Sequence, residues 1–158
     1  NGTITEIETV TWSVTRTLDG GPGPEHMVQS GDETRLFVTN PRAGQVSAIS
    51  VKTGKVIDAW QIGDNVHGLD IGDDGKTLFV SSKQGDKLTA LNTDTGKVVH
   101  EISLVPAPYH LNTIHGTGKV YVSSRKEPKI WVVDQDSLKV LGEIVLPAGE
   151  GHQMAIVE

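Results

Sequence analysis

Residues 73–83 read DDGKTLFVSSK, and this stretch decides the fold. Its strand-like part, TLFVSS at 77–82, recurs as RLFVTN at 35–40 and as KVYVSS at 119–124, with successive starts 42 residues apart. A second segment keeps the same step: QVSAISVKTGKV at 45–56, KLTALNTDTGKV at 87–98 and KIWVVDQDSLKV at 129–140. Lys55, Lys97 and Lys139 share one column of this alignment. Self-similarity at a fixed period marks a repeat architecture, in which each unit buries its apolar faces only against its neighbours.

Each repeat reads as four short strands. In the second these are VHGLDIG (66–72), TLFVSSK (77–83), KLTALNT (87–93) and KVVHEISLV (97–105). The breaks DDG, QGD and DTG supply turn chemistry, since Gly adopts positive φ without strain and Asp bonds nearby backbone. The strands are rich in Val, Ile, Leu and Thr. LFV and WVV are apolar at consecutive positions, which places those strands in a sheet covered on both faces. No 3.6-residue period persists, so helices are not expected. Four antiparallel strands per roughly 42 residues, packed as radial sheets, describe an all-β fold, the β-propeller of four-stranded blades. A sandwich or barrel is the alternative, and the phased columns of turns, strands and lysines count against it.

The repeats divide the chain as one partial-propeller domain over 1–158. Residues 1–23 supply the final strands of a preceding blade (ITEIE at 4–8 and TWSVTRTL at 11–18). Full repeats occupy 24–64, 65–107 and 108–149, and 150–158 begin a next blade. That is about 3.75 units per chain. Since an open sheet edge invites pairing, three closures are considered: a four-bladed ring, a homodimer completing a ring of about eight blades, or the remainder of a longer propeller. The two-chain ring is the expected one.

Composition narrows the chemistry. The formal net charge is −6, and no basic run is present, which argues against nucleic acid as a partner. No apolar stretch approaches the roughly 18 residues of a membrane span, and no signal peptide is visible. The absence of cysteine removes disulfides and thiolate-ligated zinc or iron–sulfur sites. Phosphate-binding, nucleophile-elbow and H-E-x-x-H patterns are also missing, and GGPGP at 20–24 reads as a loop.

Four of the six histidines follow the repeat. His26, His67, His110 and His152 are spaced by 41, 43 and 42 residues, each at the start of a first strand. First strands line a propeller's channel, so these four side chains are expected to converge near the axis on one face. Imidazoles converging without thiolate suit copper or zinc, or a haem-like cofactor if two chains pool their rings. The residues leave a second reading open, because duplication copies a structural histidine into every blade. Glu25 and Glu150 stand beside the column as candidate partners for imidazole Nδ1–H, or as solvated carboxylates. Arg42, Lys83 and Arg125 follow the segments RLFVTN, TLFVSS and KVYVSS as a candidate basic rim. Met27 and Met154 read as packing residues, and Trp12, Trp60 and Trp131 as blade-to-blade contacts. His100 and His115 lie off the column and are expected at the surface.

The segments GDETRLFVTN, DDGKTLFVSS and GTGKVYVSS, followed by KTGKV, TDTGKV and DSLKV, resemble the YVTN family of β-propeller repeats over residues 20–158. The motif is specific for fold rather than activity. The resemblance implies a periplasmic or extracellular protein. It leaves three expectations for function: a ligand-binding propeller whose histidine ring takes copper, zinc or a metal cofactor; a non-catalytic scaffold for a protein or small-molecule ligand at the channel face; and a metal-dependent redox enzyme.

Overall fold

In the computed structural model, residues 2–156 are described. The described residues form fourteen strands and one short 3-10 turn at Pro41–Ala43. β1 (Thr3–Glu8) pairs antiparallel with β2 (Ser13–Asp19) as a two-stranded sheet. Three four-stranded antiparallel sheets follow in simple meander order. The first is β3 (Met27–Gln29), β4 (Arg35–Asn40), β5 (Gln45–Ser50) and β6 (Val56–Gln61). The second is β7 (Val66–Ile71), β8 (Thr77–Ser82), β9 (Lys87–Asn92) and β10 (Val98–Ser103). The third is β11 (Pro108–Ile114), β12 (Lys119–Ser124), β13 (Lys129–Asp134) and β14 (Val140–Val145). These are the expected blades of a partial propeller. β1 and β2 precede β5 and β6 by the repeat step, so they are the third and fourth strands of their blade. The expected first strand at 150–158 makes no ladder over residues 151–156, and residues 157 and 158 lie outside the described residues.

The core lies between sheets rather than at one centre. One apolar cluster joins Ile4 and Leu18 to Val38 and Ile49, across the β1–β2 sheet and the first full blade. A second joins Phe37, Val46 and Trp60 to Val66, Leu78, Val80 and Leu91 of the next blade. A third joins Phe79, Leu88 and Ala90 to Val120, Val122, Trp131 and Leu138. The two-residue alternation of a strand explains the division. Along β8, Leu78 and Val80 face the preceding blade while Phe79, between them, faces the following one. This is why LFV is apolar at every position. Trp60 and Trp131, 9% and 3% exposed, fill such interfaces. Trp12 does not: it sits in the β1–β2 turn, 79% exposed, one repeat ahead of Gly54, with no earlier blade among the described residues to cover it.

Polar latches cross the same interfaces. The Arg35 guanidinium donates to the Thr93 carbonyl at 2.7 Å and pairs with Asp94 at 3.0 Å. Asp73 and Gln135 bond reciprocally, the Asp73 N–H to Oε1 at 2.8 Å and Gln135 Nε2 to the Asp73 carboxylate at 3.3 Å. Asp70 accepts both the N–H and the hydroxyl of Thr113.

Candidate metal centre

The histidines stand where the first strands β3, β7 and β11 are interrupted. The β7–β8 register shifts between Val66 and Leu69, and the β11–β12 register shifts between Pro108 and Leu111. A bulge re-aims the side chain it carries. Here it turns His67 and His110 out of the alternation that would otherwise send every second residue into a blade interface. His26 occupies the same place directly ahead of β3.

A column of hydroxyls fixes these positions. Thr39, Ser81 and Ser123 are one repeat apart on the second strands, and all three are buried. Thr39 Oγ1 donates to the His67 carbonyl of the next blade at 2.8 Å. Ser81 Oγ bonds the Tyr109 carbonyl. Ser123 Oγ donates to the His152 carbonyl at 3.0 Å, which ties 151–156 to the third blade without a ladder. The hydroxyls also bind their own first strands: the His26 N–H donates to Thr39 Oγ1 and the Gly68 N–H to Ser81 Oγ. Each hydroxyl therefore sets the height of a histidine segment on the neighbouring blade. The VTN, VSS, VSS column is visible in the sequence, but its link to the histidines exists only across the interface.

Gly68 completes the framework. A Cβ there would lie 2.5 Å from the Tyr109 carbonyl oxygen and 2.7 Å from the Leu111 nitrogen. Only a residue without one lets β7 and β11 approach closely enough to bring His67 beside His110.

Three of the four columnar histidines meet. The nitrogen ligand atoms of His26, His67 and His110 all lie within 4.8 Å of one another. His26 Nε2 and His67 Nε2 are 3.0 Å apart. The rings of His26 and His67, of His26 and His110, and of His67 and His110 have centroids 4.5, 4.6 and 4.9 Å apart, all edge to face. His110 Nε2 is buried with no hydrogen-bond partner among the described residues. His152 is near but separate, exposed and with its ring centroid 4.8 Å from that of His110.

The surroundings define the electrostatics. Glu25 Oε2 lies 3.2 Å from His67 Nδ1, the contact expected of a carboxylate that orients an imidazole. With Nδ1–H directed at Glu25, His67 Nε2 carries a lone pair, so His26 Nε2 is the donor between them. Tyr109, which no sequence motif marks, stacks on His67 at 3.9 Å and 11°. Glu150 instead pairs with Arg125. Burial, then repulsion by His26, His110 and Lys83, holds His67 down to about 3. Burial, then repulsion by His26, His152 and Arg125, holds His110 down to about 4. Burial lowers His26 as well, against the opposing pull of Glu25. All three rings are neutral near pH 7, the form that ligates metal.

This donor set fits a transition-metal ion. Two nitrogens bound at about 2.0–2.1 Å to a tetrahedral ion stand roughly 3.3 Å apart, and the His26–His67 pair is within a few tenths of that. The orphaned His110 nitrogen supplies a lone pair beside that of His67, and His26 Nε2 would supply the third once its proton moves to Nδ1. Met27 is half-exposed beside the cluster, at the start of β3. His100 is exposed on β10, and His115 lies in a turn with Nδ1 3.5 Å from Asp73, so both are remote from the column's role.

No curated protein sequence matches the chain. Among solved structures it is similar to Kuenenia stuttgartiensis hydrazine synthase (TM-score 0.84, 20% identity, 92% of this chain and 43% of that one). It is also similar to the WD40 repeats of RRP9 (TM-score 0.73, 14% identity, 82% and 41%). A third is the dihydro-heme d1 dehydrogenase NirN in complex with DHE (TM-score 0.72, 12% identity, 93% and 33%). The chain spans less than half the length of each, and at these identities the likeness is one of fold. A family model, the YNCE-like beta-propeller, matches residues 13–119. With two thirds of its length matched and blades built as described, the chain belongs to the YNCE-like beta-propeller family.

Proposed function

We propose that the protein is a binding propeller whose axial histidines hold a copper or zinc ion, or a metal cofactor. The observation that carries this is the buried, unpartnered His110 Nε2 within 4.8 Å of two further imidazole nitrogens. An unpaired buried polar atom is unfavourable, and a bound ion would relieve it. His26, His67 and His110 would be the ligands. His152, the fourth residue of the column, would stand at the edge of the site beside His110 rather than bind the ion. Glu25 would orient His67. Three protein nitrogens leave a coordination position open, the requirement for a metal-dependent redox enzyme.

A structural role for the rings is favoured by one contact. The 3.0 Å hydrogen bond between His26 and His67 pairs those two nitrogens without any ion, as a scaffold presenting its channel face to a protein or small molecule would require. Elemental analysis separates the two readings. Protein stripped with chelator, loaded with copper or zinc and desalted is expected to retain near-stoichiometric metal, and His67→Ala and His110→Ala to lose it. Wild-type protein that takes up neither ion supports the scaffold.

The single domain, its blades divided at 24–64, 65–107 and 108–149, is completed in this proposal by a second copy into a ring of about eight blades. Further blades of the same polypeptide are the alternative. The solution mass decides: twice the chain mass supports the two-chain ring, and a monomer of compact shape contradicts it. A periplasmic or extracellular location rests on the family resemblance.

A further inference from the structure

We propose that the cleft between the second and third full blades, beside the histidines, binds a small organic carboxylate through Lys83 and Arg125. These two residues follow β8 and β12 at equivalent places in successive blades. Both are half-buried and both reach the same ring: Lys83 Nζ lies 5.3 Å and the Arg125 guanidinium 5.4 Å from the centroid of Tyr109. Tyr109 in turn stacks on His67 and meets His110 edge to face at 4.5 Å. A ligand held by the two cations therefore sits one aromatic ring away from the imidazole cluster.

The charge balance of the cleft runs against that of the protein. The chain carries 20 acidic and 14 basic residues. The cleft, about 350 Å³, is lined by Lys83, Gln84, Asp86, Ala107, Arg125 and Lys126, three cations to one acid. That acid accepts the Ala107 N–H at 2.7 Å, and its single charge leaves the lining net positive. Lys83 makes no ion pair among the described residues. Arg125 pairs with the carboxylate of Glu150, so a carboxylate is the anion this guanidinium already takes. Two cations drawn over one ring, one of them unpaired, leave positive potential that an external carboxylate would neutralise.

The test uses metal-free protein, so its outcome does not depend on the metal reading. Isothermal titration with succinate is expected to show saturable binding at one site per chain. Lys83→Met should weaken it at least about tenfold, the loss of one charge-assisted bond. Glu150→Gln should tighten it about threefold or more by removing the competing carboxylate, an effect that non-specific attraction to surface lysines does not produce. Arg125→Lys keeps the charge but not the fork and should weaken binding less than Lys83→Met, while circular dichroism confirms that each variant is folded. Absence of saturable heat in both wild type and Glu150→Gln overturns the proposal, as does unchanged affinity in Lys83→Met. Inorganic phosphate binding as tightly as succinate overturns the assignment to carboxylates.

Discussion

His67 and His152 occupy one column of the repeat, yet they live in different surroundings. His67 is 6% exposed, stacked by Tyr109, bonded to His26 and faced by Glu25. His152 is exposed, and its backbone is held by the Ser123 hydroxyl alone. The difference lies in the neighbouring blades. His67 has β8 beside it in its own sheet and β11 packed against it from the next, whereas residues 151–156 pair with no strand and no blade follows them among the described residues. A repeat position thus specifies where a side chain stands, and the neighbouring blade specifies its chemistry.

The largest break in that contrast comes from deleting a buried ligand. His67→Ala or His110→Ala should weaken zinc or copper binding by more than about 100-fold, beyond what loss of an orienting partner produces, measured by competition with a chromophoric chelator. Gly68→Ala attacks the framework: the added methyl meets the β11 backbone, and overpacking of this kind costs about 1–3 kcal/mol. Urea unfolding should read that loss, with metal affinity falling alongside. Glu25→Gln keeps the size but weakens the bond to His67 Nδ1, and about tenfold loss of metal affinity is expected. His152→Ala should change affinity by less than about twofold, because its ring lies outside the three-nitrogen group. Equal losses for His152→Ala and His67→Ala would erase the contrast.

The pH dependence sharpens it further. In metal-free protein the buried His67 and His110 bind protons only near 3 and 4, whereas unfolded histidine binds near 6.5. Between these limits the unfolded state holds more protons, so stability rises with pH. It should be full above about pH 6.5 and fall steadily as pH drops toward 4. Urea midpoints taken between pH 7 and pH 4 should decline in wild type, and the decline should be shallower in a folded His67→Gln variant. An equal slope in both would detach the effect from the buried ring.

Much of this is legible in the sequence, and the repeat is the reason. Its period places the strands, and with them the histidines, because turn chemistry and strand patterning recur in phase. The blade interfaces follow a rule less easily seen. Leu18, Trp60 and Ile102 share a fourth-strand column, and Gly54, Gly96 and Leu138 share a turn column. A Cβ at Gly54 would meet Leu18 at 3.3 Å, and one at Gly96 would collide with the Trp60 indole. Leu138 holds the glycine's left-handed conformation at φ 52° and instead fills the cluster against which Ile102 packs. Complementary size across an interface, not local pattern, selects these residues. The same limit hides Tyr109, whose stacking on His67 depends on two blades meeting, and leaves Trp12 exposed, since it heads the column of Gly54, Gly96 and Leu138 with no earlier blade among the described residues to pack against. The pairing of three histidines rather than four is equally out of reach, since it depends on which blades are covered.

Histidine-selective 15N NMR of metal-free protein titrated with Zn2+ tests whether three histidines of the column form one metal site. A shared site requires the Nε2 resonances of His26 and His67, and that of His110, to shift together in one saturable step at one ion per site, while His152 changes little. Resonances of the three rings that stay in place through the titration, or that move only with those of His100 and His115, would contradict it.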